Sequence, residues 1–124
     1  MAKIGALYLQ HGRWGDKQIV SNAFVAESTT KQTDGGPPLN AGYGYLWWID
    51  STKTNLAAFF AAGTGSQAIY VVPKLDVVVA VQADKIRGGS QNFINDVILP
   101  AEALLSPSTP CAARLARTDA PSAP

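Results

Sequence analysis

Few spacings in this chain could do chemistry. Ser28-Thr29-Thr30-Lys31 sets a hydroxyl three residues before an amine, the spacing of a nucleophile and its base on one helix face. That pairing works when the serine opens a helix, where the dipole and a fixed lysine lower the barrier to attack. Ser28 instead closes its expected helix and runs into a Gly-Pro loop, so it reads as a helix end. Gly63-Thr64-Gly65-Ser66-Gln67 is a better candidate. Small residues ahead of a strand let a substrate backbone lie against it, and a strand N–H can serve an oxyanion hole. On its residues alone the run also reads as a plain glycine-rich strand entry or bulge.

The remaining polar groups read more blandly. Lys53-Thr54-Asn55 fits a solvated turn, and His11 fits a helix C-terminus, where a cation suits the dipole. Tyr43-Gly44-Tyr45 reads as a strand start. Trp47 and Trp48 are adjacent, so a strand would send them to opposite faces, one to the core and one to a cleft or interface. Cys111 lies in a Pro/Ser/Ala-rich stretch and reads as incidental. No residue is assigned a catalytic role.

Composition narrows the classes further. The chain has 124 residues, 47% of them hydrophobic and 15% charged, which suits one ordered domain or part of one. A net charge of +1 gives no reason to expect nucleic acid as partner. One His and one Cys exclude a multi-histidine metal site, an intramolecular disulfide and a Cys-rich zinc site. No apolar run is long enough to span a membrane, and the first residues lack a signal-peptide pattern.

The elements that must position these residues follow from periodicity. Met1, Ile4, Leu7 and Tyr8 carry helical spacing, so Met1 to His11 is predicted as an amphipathic helix ended by Gly12. It starts without an N-cap, which points to an upstream segment. Gly12 to Val20 reads as a turn-rich connection anchored by Trp14. Ser21 caps a helix from Asn22 to about Thr29, with Phe24 and Val25 inward. Thr30 to Ala41 is a loop. Tyr43 to Ile49, Leu56 to Ala62, Ala68 to Val72 and Val77 to Val81 are predicted strands. Pro73 to Asp76 makes a hairpin loop, and the short connections imply an antiparallel meander. The unbroken run VVVAV predicts a strand covered on both faces. Ser90 caps a last helix with Phe93, Val97, Ala101 and Leu104 on one stripe, kinked or ended by Pro100. Residues 106–124 read as a flexible tail.

The stretches MAKIGALYLQHGRWGDKQIVS, YGYLWWID and FFAAGTGSQAIYVVPKLDVVVAV together resemble the C-terminal third of serine hydrolases related to class C β-lactamases. That family includes penicillin-binding esterases and 6-aminohexanoate-dimer hydrolases. The resemblance covers Met1 to about Leu105. It implies an α+β fold, an antiparallel β-meander flanked by helices, as the C-terminal part of a β-lactamase/transpeptidase-like fold. Residues 1–105 would then be a partial family domain. Family members use a Ser-x-x-Lys, a Tyr-x-Asn or Ser-x-Asn, and a Lys-Thr-Gly or related box on an edge strand. The first two normally lie upstream of a segment like this one. The resemblance puts Gly63, Thr64, Gly65, Ser66 and Gln67 in the place of the third and so implies that these five are the substrate-binding residues; they lack its Lys or His, and a register shift could put Ala61 or Ala62 at its first position.

The resemblance implies a parent enzyme that cleaves a small-molecule ester, amide or β-lactam through an acyl-serine, with no metal or organic cofactor. This chain lacks the nucleophile and is expected to be inactive alone. The alternative is a non-enzymatic truncated domain that binds a partner or self-associates through exposed apolar surface.

Overall fold

The computed structural model describes residues 1–37, 39–51 and 56–100. Among the described residues seven strands and three α-helices follow in order: α1 (Ala2–Leu9), β1 (Arg13–Trp14), β2 (Lys17–Gln18), α2 (Asn22–Ser28), β3 (Gly42–Tyr43), β4 (Trp48–Ser51), β5 (Ala57–Gly63), β6 (Gln67–Val72), β7 (Val77–Val81) and α3 (Gly89–Phe93). The strands form a two-stranded hairpin, β1-β2, and a five-stranded antiparallel meander in the order β3-β4-β5-β6-β7. The protein is therefore α+β, as its pattern predicts.

Alternation explains why β5 and β6 are apolar along their length. Phe60, Tyr70 and Val72 point to one face, while Phe59, Ile69 and Val71 point to the other. Each face carries its own core. On the first, Ile94 and Leu99 from the turns that follow α3 pack against Ala58, Phe60, Ala68, Tyr70, Val72 and Val77. On the second, Tyr8 and Leu9 of α1 join Trp47, Phe59, Ile69 and Val71. A sheet covered on both faces needs no polar side, so the pattern reads as continuous. Rings order both layers. Phe60 stacks on Tyr70 at 5.2 Å, and Trp47 meets Phe59 edge-on at 5.1 Å and Tyr8 at 4.7 Å.

Close approach places α1. A Cβ on Gly5 would stand 2.5 Å from Val78 Cγ1 and 2.8 Å from Ile69 Cγ2, so only glycine lets the helix lie this near the sheet. The buried face of α1 is Gly5 and Ala6, with Tyr8 and Leu9 alongside. Met1 and Ile4, expected on the apolar stripe, are exposed. Between β6 and β7 the predicted Pro73–Asp76 connection is a 3₁₀ turn, closed by Asp76 N–H donating to the Pro73 carbonyl at 3.0 Å with Asp76 left-handed.

Several other expectations are corrected. Gly12 to Val20 contains the β1-β2 hairpin, and Trp14 is an exposed residue on it rather than an anchor. Ser21 does cap α2, its Oγ accepting from Phe24 N–H at 3.2 Å, but of the two residues expected inward Phe24 faces outward and Val25 alone is buried. The single strand expected from Tyr43 to Ile49 is broken by a turn at Gly44–Trp47, where Leu46 is left-handed and Gly44 N–H donates to the Trp47 carbonyl at 2.8 Å. Gly88, not Ser90, is the N-cap of α3, and Ser90 is buried in its first turn. Phe93 and Val97 are exposed; Ile94 and Leu99 face the sheet instead. A π turn at Ile94–Ile98 sets the five-residue step between these two, with Leu99 N–H donating to the Ile94 carbonyl. Pro100 has no N–H and its ring crowds the preceding turn, and the widened turn stands directly ahead of it. Ala101, Leu104, Cys111, the 106–124 tail and Lys53-Thr54-Asn55 lie outside the described residues.

Candidate functional site

Antiparallel order puts the Gly44–Trp47 turn, the β5-β6 connection and the segment after β7 at one end of the sheet. Gly63 to Gln67 is that β5-β6 connection. Gly63 pairs with Gln67 to close the ladder, and Thr64, Gly65 and Ser66 form the tip. Gly65 and Ser66 both have positive φ, +82° and +62°. The five predicted residues are thus together at a hairpin tip, between two interior strands of the sheet.

The tip is braced from behind. Ser66 Oγ accepts a hydrogen bond from Ile86 N–H at 3.0 Å. A Cβ on Gly65 would lie 3.0 Å from the Asp84 carbonyl oxygen, so the 83–86 segment follows the tip closely. Ser66 was expected near substrate, and its hydroxyl is engaged in fastening this loop. Gly63 and Thr64 are exposed, as is Gln67.

The β4 side of the same strand is open. β4 pairs with β5 from Ser51↔Ala57 to Trp48↔Phe60 and stops there. Ala61, Ala62 and Gly63 continue toward the tip with β6 on one side and, among the described residues, no ladder partner on the other. Their small side chains leave the backbone approachable, which suits an extended ligand adding to the edge. Trp48 stands at the mouth of this stretch, half-buried, with Tyr43 edge-on at 4.8 Å. Trp47 goes to the α1 core and Trp48 to the other face, the division that adjacency predicts.

The literal Ser-x-x-Lys is not assembled for catalysis. Ser28 is fully buried at the last position of α2, and its Oγ donates to the Val25 carbonyl at 3.1 Å. The Gly44–Tyr45 backbone covers it, with Tyr45 N–H on the Ser28 carbonyl at 2.9 Å. Lys31 turns to Asp34, 2.5 Å away, and this ion pair holds the Asp34 carboxyl below its ordinary range. His11 is exposed and left-handed, two residues beyond the end of α1. Sequence reasoning passes over one literal Ser-x-Asn, Ser90-Gln91-Asn92. It lies on α3, where Ser90 is buried and Asn92 Nδ2 donates back to the Gly88 carbonyl at 2.8 Å.

Two further features complete the survey. The Tyr70 phenol is buried beside Ile94 and Leu99 and, among the described residues, makes no hydrogen bond of ordinary geometry. Burial pushes its pKa up; the Asn95 amide pulls the other way, and the Asp50 charge adds to the rise. A shallow groove of about 340 Å³ lies between α1 and the β1-β2 hairpin, lined by Lys3, Ile4, Leu7, Trp14 and Ile19. Among the described residues no His/Cys/Asp/Glu group is placed to hold a metal, and no helix is long and apolar enough to cross a membrane.

No protein-family model matches the chain, and no curated protein matches it.

Proposed function

We propose that this chain is the sheet half of a serine hydrolase related to class C β-lactamases, acting on an ester, amide or β-lactam through an acyl-serine. The observation that carries the reading is the open stretch Ala61–Gly63 on β5, ending in the braced tip Thr64–Ser66. An acyl-transfer site needs a backbone edge that holds the scissile carbonyl beside an N–H donor, and this stretch is of that kind. The attacking hydroxyl and its base come from outside these 124 residues. Ser28 supports that division, being buried and bonded to its own helix. The departure from the family box, no Lys or His at Gly63 to Gln67, favours neutral substrates over those that need a carboxylate anchor.

The test has two arms on the purified chain. Intact-mass measurement after fluorophosphonate treatment is expected to show no adduct. A short N-acetylated peptide ester at millimolar concentration is expected to shift the backbone amides of Ala61 to Gln67. An adduct lost in Ser28→Ala overturns the division of labour. Amide shifts confined to other regions overturn the site. The second reading, a non-enzymatic module that self-associates, is favoured by the apolar groove, where Ile4, Trp14 and Ile19 are all exposed.

A further inference from the structure

We infer that the Tyr45–Leu46 turn is an apolar wall of the substrate site, and that the site takes substrates with an uncharged apolar side group, aromatic or branched aliphatic. The inference rests on the hydrolase reading, since it gives the substrate class of the site proposed there. Leu46 carries it. This residue has φ +65°, a backbone region that glycine and asparagine accept and a bulky side chain resists. It is also 81% exposed, the most of any large apolar residue among those described. A leucine here neither eases the turn nor fills a core, so its side chain is free to serve something outside the fold.

The place of the turn says what that is. β4 begins at Trp48 opposite Phe60, so the residues just before Trp48 reach the level of Ala61 to Gly63 without pairing with them. A ligand backbone laid on the open stretch has β5 on one flank and this turn at the other. The turn is also firmly held. A Cβ on Gly44 would stand 2.1 Å from the Ser28 carbonyl oxygen, so the turn starts pressed against the end of α2. Tyr45 is fixed at three points. Its N–H donates to the Ser28 carbonyl at 2.9 Å, its phenol donates to Glu27 Oε1 at 3.1 Å, and its ring stacks on Phe24 at 6.3 Å. The buried end of α2 thus serves as an anchor for the wall.

Phe24 and Tyr45 stay 44% and 42% exposed, so with Leu46 they present one apolar surface. Because it is held beforehand, little freedom is lost when a side group packs on it. The polar atoms of Tyr45 are already engaged, so the wall offers a charged group no partner. The Glu27 carboxylate beside it disfavours an anionic one.

A titration of the isotope-labelled 124-residue chain with a series of N-acetyl amino-acid methyl esters tests this by NMR. The phenylalanine and leucine esters are expected to bind roughly fivefold or more tighter than the alanine ester, with the glutamate ester weakest. Ring protons of the phenylalanine ester should show intermolecular NOEs to the Leu46 methyl groups. Leu46→Asn suits the positive φ and keeps the turn, while it removes the apolar side chain. In that variant the Ala61 to Gln67 amides should still respond, with the preference for the larger esters lost. Equal affinity across the series, with shifts at Ala61 to Gln67, overturns this inference and leaves the site standing. No shift at those amides with any ester overturns both. A preference that survives Leu46→Asn overturns the wall. So do Leu46 methyl signals that move with protein concentration alone, which would make a second copy its occupant. The ester series needs no variant, so an unfolded Leu46→Asn chain does not decide the outcome.

Discussion

Gly5→Ala separates two opposed effects in α1. Alanine is the better helix former by about 0.8–1 kcal/mol, and the φ of Gly5 is one that alanine accepts. On propensity alone the variant is more stable. Packing argues the reverse. The new Cβ would stand 2.5 Å from Val78 Cγ1 and 2.8 Å from Ile69 Cγ2, where carbon atoms normally rest at about 3.5–4.0 Å. Relief takes a shift of about 1 Å. Val78 and Ile69 are β-branched and held in adjacent strands, so they cannot rotate away cheaply. The helix must back off, loosening Ala6 and Tyr8 from the sheet with it. Overpacking of this kind costs about 1–3 kcal/mol. The net expectation is a loss of about 1 kcal/mol, a fall in Tm of roughly 4–8 °C. Thermal and urea denaturation of the variant measure it. Val78→Ala in the Gly5→Ala background should couple: the pair costs less than the sum of the singles by about 0.5 kcal/mol or more. A Gly5→Ala chain stabilised by the full propensity gain would refute the close approach of α1.

Three further outcomes follow from single side chains. Tyr70→Phe removes a buried hydroxyl that has, among the described residues, no hydrogen bond of ordinary geometry, so the variant should be as stable as the parent or more so, by up to about 1 kcal/mol; a loss of similar size would mean that its contact with the Asn95 amide is a stabilising bond. Burial raises the folded-state pKa of Tyr70, so its contribution is complete below the ordinary tyrosine value of about 10 and is lost as pH rises through the folded value. Melting of the parent chain above that pH should therefore fall more steeply than that of Tyr70→Phe. Lys31→Ala should return the Asp34 carboxyl upward to its ordinary range in an NMR titration, with no change in melting, because the pair is exposed. Ser66→Ala strands the Ile86 N–H, and should cost about 1 kcal/mol and speed exchange at that amide.

Legibility in the sequence depends on whether an element's signal is its own. β6, β7 and the turn between them were readable because β-branched runs and a proline-led loop act locally. The α2 cap was readable for the same reason, Ser21 bonding three residues on. The face of α1 was not, because Gly5 and Ala6 carry no hydrophobic signal, yet being small is what lets the helix touch the sheet. The break in YGYLWW was hidden because the left-handed residue is Leu46, not a glycine. The last helix misled most simply. A stripe counted from Phe93 at 3.6 residues per turn lands on Val97, but the inward face starts one residue later, at Ile94, and the π turn then adds one residue before Leu99. No pattern of period 3.6 can register that insertion.

The candidate site divides along the same line. That Gly63 to Gln67 forms one turn-bearing unit is a local property, visible in its glycines. That the tip is held from behind by Ile86 is a contact across twenty residues, and no spacing announces it. The open stretch of β5 arises because β4 starts at Trp48, and β4 starts there because the Gly44–Trp47 turn consumes the residues that would have extended it. The turn that broke the expected strand is therefore also what leaves Ala61 to Gly63 unpaired. Had Tyr43 to Ile49 run as one strand in the same register, Trp47 would face Ala61 and Tyr45 would face Gly63, closing the edge. Restoring that strand is a direct way to remove the site. Leu46→Val disfavours the left-handed turn, since a β-branched residue resists positive φ. It should weaken the response of Ala61 to Gln67 to the peptide ester. An unchanged response in a folded Leu46→Val chain would show that the open edge does not depend on the turn.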